Sequence, residues 1–135
     1  MKVEDISSTR LSKTPAPAGL SMTTQQFATV VGIVESNGDP NSPLGDHGRA
    51  LGRFQIHPDE MWAWANRLAL APELGETWDS FIERIVEGFY TFHTARLAPI
   101  EVAMTWHIGH ITKEGDPDWD ASYAAKFNAA SLGTA

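Results

Sequence analysis

From Phe27 onward the apolar residues of this chain recur at helical spacing, run after run, with glycine and proline between the runs. That pattern leaves little room for anything but a mostly helical fold. Phe27, Val30, Val31 and Val34 fall at i, i+3, i+4 and i+7, and Thr23 with Gln26 fits a capping box ahead of them. This first helix should end near Asn37-Gly38. Pro58 at a first helical position, with Asp59 and Glu60 beside the positive end of the dipole, opens a second helix through Met61, Trp62, Ala65 and Leu68, ending before Pro72. A third runs from about Thr77, with Trp78, Phe81, Ile82, Ile85, Phe89 and Phe92 as its buried stripe. A fourth starts at Pro99 and carries Ile100, Ala103, Met104 and Trp106 to Gly109. Residues 112–118 read as an acidic loop, and a last helix from about Trp119 buries Trp119, Tyr123 and Phe127.

One stretch breaks the helical period. Turn-forming residues are too dense between Asn37 and Gly48 for a helix. The segment from Gly52 to His57 then alternates, with Phe54 and Ile56 on one side and Arg53, Gln55 and His57 on the other. It reads as a short extended piece with one polar face. The expected fold class is therefore α+β, mostly α-helical, with a small extended or β segment beside the first helix.

Domain organisation follows from where the apolar periodicity begins. Residues 1–22 show none, and their Ser, Thr, Pro and Ala content reads as a flexible N-terminal arm with a Pro-Ala-Pro spacer ahead of a single domain over residues 23–135. The arm lacks the apolar run of a secretory signal, and no later stretch is long enough to cross a bilayer, so no membrane insertion is expected. With no cysteine, a disulfide framework, a thiolate zinc site and a Cys nucleophile are all excluded. The formal charge is −7, and the arm holds three basic and two acidic side chains, so the domain alone carries −8. Such a surface argues against nucleic acid, whose binding depends on basic groups that displace counterions.

The chemistry is most legible around Glu35. It follows Val34 directly and lies four residues after Val31, at the edge of the apolar stripe and in the last turn of the first helix. Partial burial disfavours an ionised carboxyl, and the negative end of the helix dipole acts in the same direction. Those are the conditions a general acid for glycoside cleavage needs. On its own a glutamate so placed is more often a solvated residue of a last helical turn.

Its neighbours along the chain change that balance. Glu35-Ser36, then the stretch from Gly45 through Asp46, Gly48, Gly52 and Gln55 to Ile56, then Trp106-His107-Ile108-Gly109, then Tyr123, resemble in order and spacing the soluble lytic transglycosylase and goose-type lysozyme superfamily. The resemblance spans roughly residues 23–131 and is most specific in its first half. It implies a lysozyme-like fold, no cofactor, and a peptidoglycan-cleaving activity with Glu35 as general acid/base. The bond cut would be the β-1,4 linkage between N-acetylmuramic acid and N-acetylglucosamine, so the partner is a glycan strand and the place of action the bacterial cell wall, periplasmic or extracellular. An inhibitor or immunity protein is a further partner of such enzymes. A small lytic protein without a visible leader suits phage-type lysis or an exported effector.

Other roles carry over residue by residue. Gln55 would hydrogen-bond a sugar substituent, with Arg53 and His57 on the same polar face. Tyr123 resembles the family tyrosine whose hydroxyl approaches the catalytic carboxyl, the alternative being plain core packing. Ser36 is either a helix-end hydrogen-bonding residue or a substrate contact. Trp106 offers a sugar-stacking face, as does Trp64, whereas Trp62 reads as core. Two departures stand out: His107 replaces the family asparagine beside the aromatic, and His57 replaces a second acid found in goose-type enzymes. Asp46 matches the first of their acids and is the candidate second acid here. With Glu35 alone, the resemblance implies that the substrate's acetamido group assists and an anhydro ring closes; with Asp46 close enough, water is activated instead.

Weaker constellations do not compete. His107 and His110, with His93 or Asp116, lack the glutamate of an H-E-x-x-H motif, and no metal is expected. Glu114, Asp116, Asp118 and Asp120 lack the central glycine and terminal glutamate of a calcium loop. The readings that remain beside the glycosidase are a non-catalytic lysozyme-like module binding cell-wall glycan or a protein, and a chitin-directed hydrolase.

Overall fold

A computed structural model of the chain describes residues 22–39 and 52–134. The arm up to residue 21, together with Gly45, Asp46 and Gly48, lies outside the described residues. Those described form α1 (Thr24–Ser36), α2 (Pro58–Arg67), α3 (Trp78–His93), α4 (Pro99–Ile108) and α5 (Ala121–Thr134), with no strand among them.

Local signals account for the helix starts. The Thr23 hydroxyl accepts from Gln26 N while the Gln26 side chain accepts from Thr23 N, satisfying two donors that the first turn leaves open. Asn37 ends α1 in the left-handed conformation, at φ 58°. Pro58 and Pro99 sit in the first turns of α2 and α4, and the Thr77 hydroxyl accepts from Ser80 N at the start of α3.

The core gathers around α1, which packs against both α3 and α5. Phe27, Val30 and Val31 are fully buried beside Phe81, Ile85 and Val86 of α3, Val102 to Met104 of α4 and Phe127 of α5. The Phe27 ring stacks on Tyr90 with centroids 4.4 Å apart, and the Tyr90 hydroxyl donates to Met22 O at 2.8 Å. Met22, expected in the arm, is thereby tied to the domain.

The expected extended segment over residues 52–57 opens as a turn at 52–55, with extended backbone following at His57 and no strand among the described residues. Gly52 and Gln55 both have left-handed backbone, at φ 70° and 49°, and Gln55 N donates to Gly52 O. The alternation in burial holds, with Phe54 and Ile56 inward and Arg53, Gln55 and His57 half-buried. What differs is where the backbone is satisfied: the Arg53 carbonyl accepts from the Ser36 hydroxyl and the Phe54 carbonyl from Trp106 Nε1. Side chains of α1 and α4 thus satisfy two backbone carbonyls of the turn.

The buried stripe of α3 is narrower than expected. Trp78 is 59% and Phe92 53% exposed, and Trp62, expected in the core, is 47% exposed. Trp62 and Trp78 cover one another edge to face, 5.9 Å between centroids. Trp119 precedes α5 rather than lying in it, and is half-buried.

A short ion-pair network holds the loop ahead of α3. Arg84 grips Glu76 through Nε and Nη2, each at 2.8 Å, and Nη2 also donates to Ala71 O. Arg84 first, then the Glu73 amide, hold the Glu76 carboxyl at a pKa of about 2. A carboxyl depressed in the folded state stabilises above its unfolded value of 4.5 and loses that contribution as pH falls toward about 2. Glu76→Gln should therefore lower the melting temperature at neutral pH, and the gap from wild type should close on acidification over that window, followed by circular dichroism.

Candidate functional site

The end of α1 meets the 52–57 turn and the end of α4, and the side chains singled out by sequence collect there. Ser36 Oγ lies 2.6 Å from Arg53 O and 3.1 Å from Gly32 O, so its hydroxyl ties the helix end to the turn. Close approach requires the glycine in α1: a Cβ on Gly32 would lie 3.1 Å from Arg53 Cγ. Removing the tie with Ser36→Ala should cost about 1–2 kcal/mol of stability, read from urea unfolding, because the Arg53 carbonyl loses its side-chain donor.

Beyond the turn lies a cleft of about 480 Å³. Gln55 and His57 form one wall, Trp106 and His107 another, and Trp64, Phe89, Phe92 and His93 an aromatic end. Phe89 meets Trp106 and Trp64 edge to face, at 5.0 and 4.7 Å between centroids, which fixes the rings that line it. Arg67 stacks over Trp64 at 4.8 Å and brings a cation to this end. Four of the chain's five histidines line the cleft, although the protein as a whole is acidic. His93 Nε2 is buried with no hydrogen-bond partner among the described residues, and burial first, Arg67 second, push its pKa down.

Glu35 sits behind this cleft, not in its lining. Its side chain is 12% exposed and borders a second depression of about 540 Å³, shared with Ser36, Lys126 and Ala130. His107 connects the two: its ring lines the cleft, and Nδ1 lies 3.7 Å from Glu35 Oε2. That is ion-pair range, longer than a hydrogen bond. Nε2 of the same ring is 3.1 Å from Asp120 Oδ2, and the ring stacks on Tyr123 at 4.0 Å and 10°. Contact with Glu35 is the main cause that raises the His107 pKa above 6.5, with Asp120 adding and burial opposing.

Tyr123 completes the group. It is buried, and neither its hydroxyl nor Glu35 Oε2 has a hydrogen-bond partner of acceptable geometry among the described residues. Burial chiefly, then the charge of Glu35, raise the phenol pKa well above 10, so the hydroxyl stays protonated beside the carboxyl. The two oxygens lie near one another without a well-formed hydrogen bond, an arrangement that ordinary packing avoids.

Other expected contacts are committed to the fold. Gln55 Nε2 donates to Gly52 O at 2.8 Å within its own turn. Arg53 forms a bidentate pair with Asp79, at 3.1 and 2.8 Å, reaches Glu83 at 3.3 Å and lies over the Phe54 ring. Its guanidinium braces α3 and does not line the cleft. Asp120 was missed as a site residue; its position ahead of a helix signals a cap, which it is through Tyr123 N, and nothing in the spacing pairs it with His107. His93 and the aromatic end were likewise not assembled by sequence. Among the described residues no group of three or more histidine or acidic side chains is placed to hold a metal, and no helix is long and apolar enough to cross a membrane.

Comparison with family models, curated proteins and solved structures gives no match.

Proposed function

We propose that this protein is a lysozyme-like glycosidase that cuts the β-1,4 bond between N-acetylmuramic acid and N-acetylglucosamine in peptidoglycan, with Glu35 as general acid/base. The observation that carries the reading is the buried Glu35 carboxyl: one oxygen has no hydrogen-bond partner among the described residues, an un-ionised tyrosine lies beside it, and His107, 3.7 Å away, links it to an aromatic cleft. A buried carboxyl oxygen without a hydrogen bond is uncommon and marks a functional-site candidate.

In this reading a glycan strand spans the aromatic cleft and the depression that Glu35 borders, its sugar faces against Trp64 and Trp106. Glu35 protonates the glycosidic oxygen as the bond to C1 breaks. The substrate's acetamido oxygen stabilises C1 from the other face, and Glu35 then takes a proton from the 6-hydroxyl, closing an anhydro ring, or from water. The residues named need no cofactor. Because the domain is strongly acidic, recognition rests on local hydrogen bonding and stacking, with Arg67 the cation nearest the aromatic rings. Action at the bacterial cell wall belongs to the same proposal.

One observation favours a second reading. Gln55 Nε2 and the Arg53 guanidinium, expected on substrate, both bond within the protein, as they would in a non-catalytic module that binds wall glycan or a protein partner. Incubation with purified peptidoglycan separates the two: released muropeptides identified by mass spectrometry support the enzyme, and their anhydro or reducing ends tell transglycosylase from muramidase. Binding without release supports the module, and release from chitin oligomers alone points to a chitin-directed hydrolase.

A further inference from the structure

His107 meets negative charge from α1 and from the start of α5. It occupies the last turn of α4, where the helix dipole favours a cation. From α1 comes Glu35 Oε2 at 3.7 Å, and from the start of α5 come Asp120 Oδ2 at 3.1 Å and the face of Tyr123. The other charged or titratable groups of the cleft are His57, Glu60, Arg67, His93 and His110, the last paired with Asp118 at 2.9 Å, and Lys126 borders the depression beside Glu35. The two ring nitrogens therefore have separate partners. With Nε2–H directed at Asp120, Nδ1 is the atom that faces Glu35, and its protonation decides whether the carboxyl sees an N–H or a lone pair.

We propose that His107 is a positioning residue that, as an imidazolium, receives the negative charge Glu35 acquires when it gives its proton to the leaving glycosidic oxygen. This rests on the glycosidase reading. In the step, the Glu35 proton passes to the glycosidic oxygen, the C1–O electron pair leaves with that oxygen, and the acetamido oxygen supplies the new bond to C1. Glu35 becomes a carboxylate and His107 keeps both its protons, so no further reactant enters. Below the His107 midpoint the carboxylate forms next to a cation. Above it, the carboxylate forms next to a lone pair, and the step slows. Activity should therefore fall as pH rises through the His107 midpoint.

Two measurements on the whole protein test this together: the pH profile of muropeptide release, and the NMR titration of the His107 ring. Wild type should lose activity across the His107 midpoint. Asp120→Asn removes one carboxylate while asparagine still caps α5, so the midpoint and the activity limb should both move to lower pH, by about one unit or less. His107→Asn should remove the limb and reduce acid-side release about tenfold, the effect of one pKa unit of charge stabilisation. Wild-type cleavage with a limb unmoved in both variants overturns the inference alone. A wild type that cleaves at no pH overturns it through the reading on which it rests.

Discussion

Glu35→Gln is expected to abolish release of muropeptides from purified peptidoglycan while leaving the protein no less stable than wild type. The activity loss follows from the proton: a positioned general acid contributes about 10²–10⁴-fold, and an amide has no acidic proton to give. The stability expectation follows from burial. Glu35 Oε2 is shielded from solvent, lacks a hydrogen-bond partner among the described residues and lies beside a protonated phenol. Glutamine keeps the shape and is neutral, so the exchange adds no desolvation cost, and the amide can offer an N–H to the Tyr123 oxygen. Measured above the His107 midpoint, where the imidazole is neutral, little is lost at the 3.7 Å contact with that ring. Activity and thermal melts measured on the same preparation give the pairing its force. Retained release, or a melt that drops steeply, would mean that Glu35 serves the fold and not the reaction.

How far the sequence carries depends on the range of the interaction being read. Helix starts are local: Thr23 with Gln26, Pro58, Thr77 and Pro99 each act within a turn of themselves, and each marks the helix it was expected to mark. The turn after Gly52 is not local. Its inside-outside alternation is real, but alternation is compatible with a strand or with a turn that has two left-handed residues. Two of its carbonyls are satisfied by donors on Ser36 and Trp106, 17 and 52 residues away from the carbonyls they reach. Trp78 and Phe92 show the same limit on α3, since periodicity gives the direction of a buried face and the neighbouring helices decide its width. In the site, Glu35, His107 and Tyr123 were picked out by order along the chain, and the structure places them in one cluster. Asp120 was not, because only the packing of α4 against α5 brings it to the ring of His107.

The largest stability effect should come from Phe27→Ala, at about 3–5 kcal/mol by analogy with other buried phenylalanines. Phe27 is fully buried, stacked on Tyr90 at 4.4 Å and 6.4 Å from the Phe127 ring, so it joins α1 to both helices against which α1 packs. A domain of this size typically has about 5–15 kcal/mol to lose, and a deficit of that order should bring the urea midpoint down steeply. Trp62→Ala provides the internal contrast: a larger side chain is removed, but 47% of it is already in solvent, so the midpoint should move much less. The consequence reaches the site because Phe27 and Glu35 lie on the same helix, about two turns apart. Glu35 meets Tyr123 and His107 only while α1 is held against α5 and the end of α4. Even under conditions where Phe27→Ala remains folded, release should fall further than for Trp62→Ala. A variant that loses less than about 1 kcal/mol would mean that the packing of α1 on α3 and α5 is not what sets stability, since no fully buried phenylalanine with stacked neighbours leaves so cheaply.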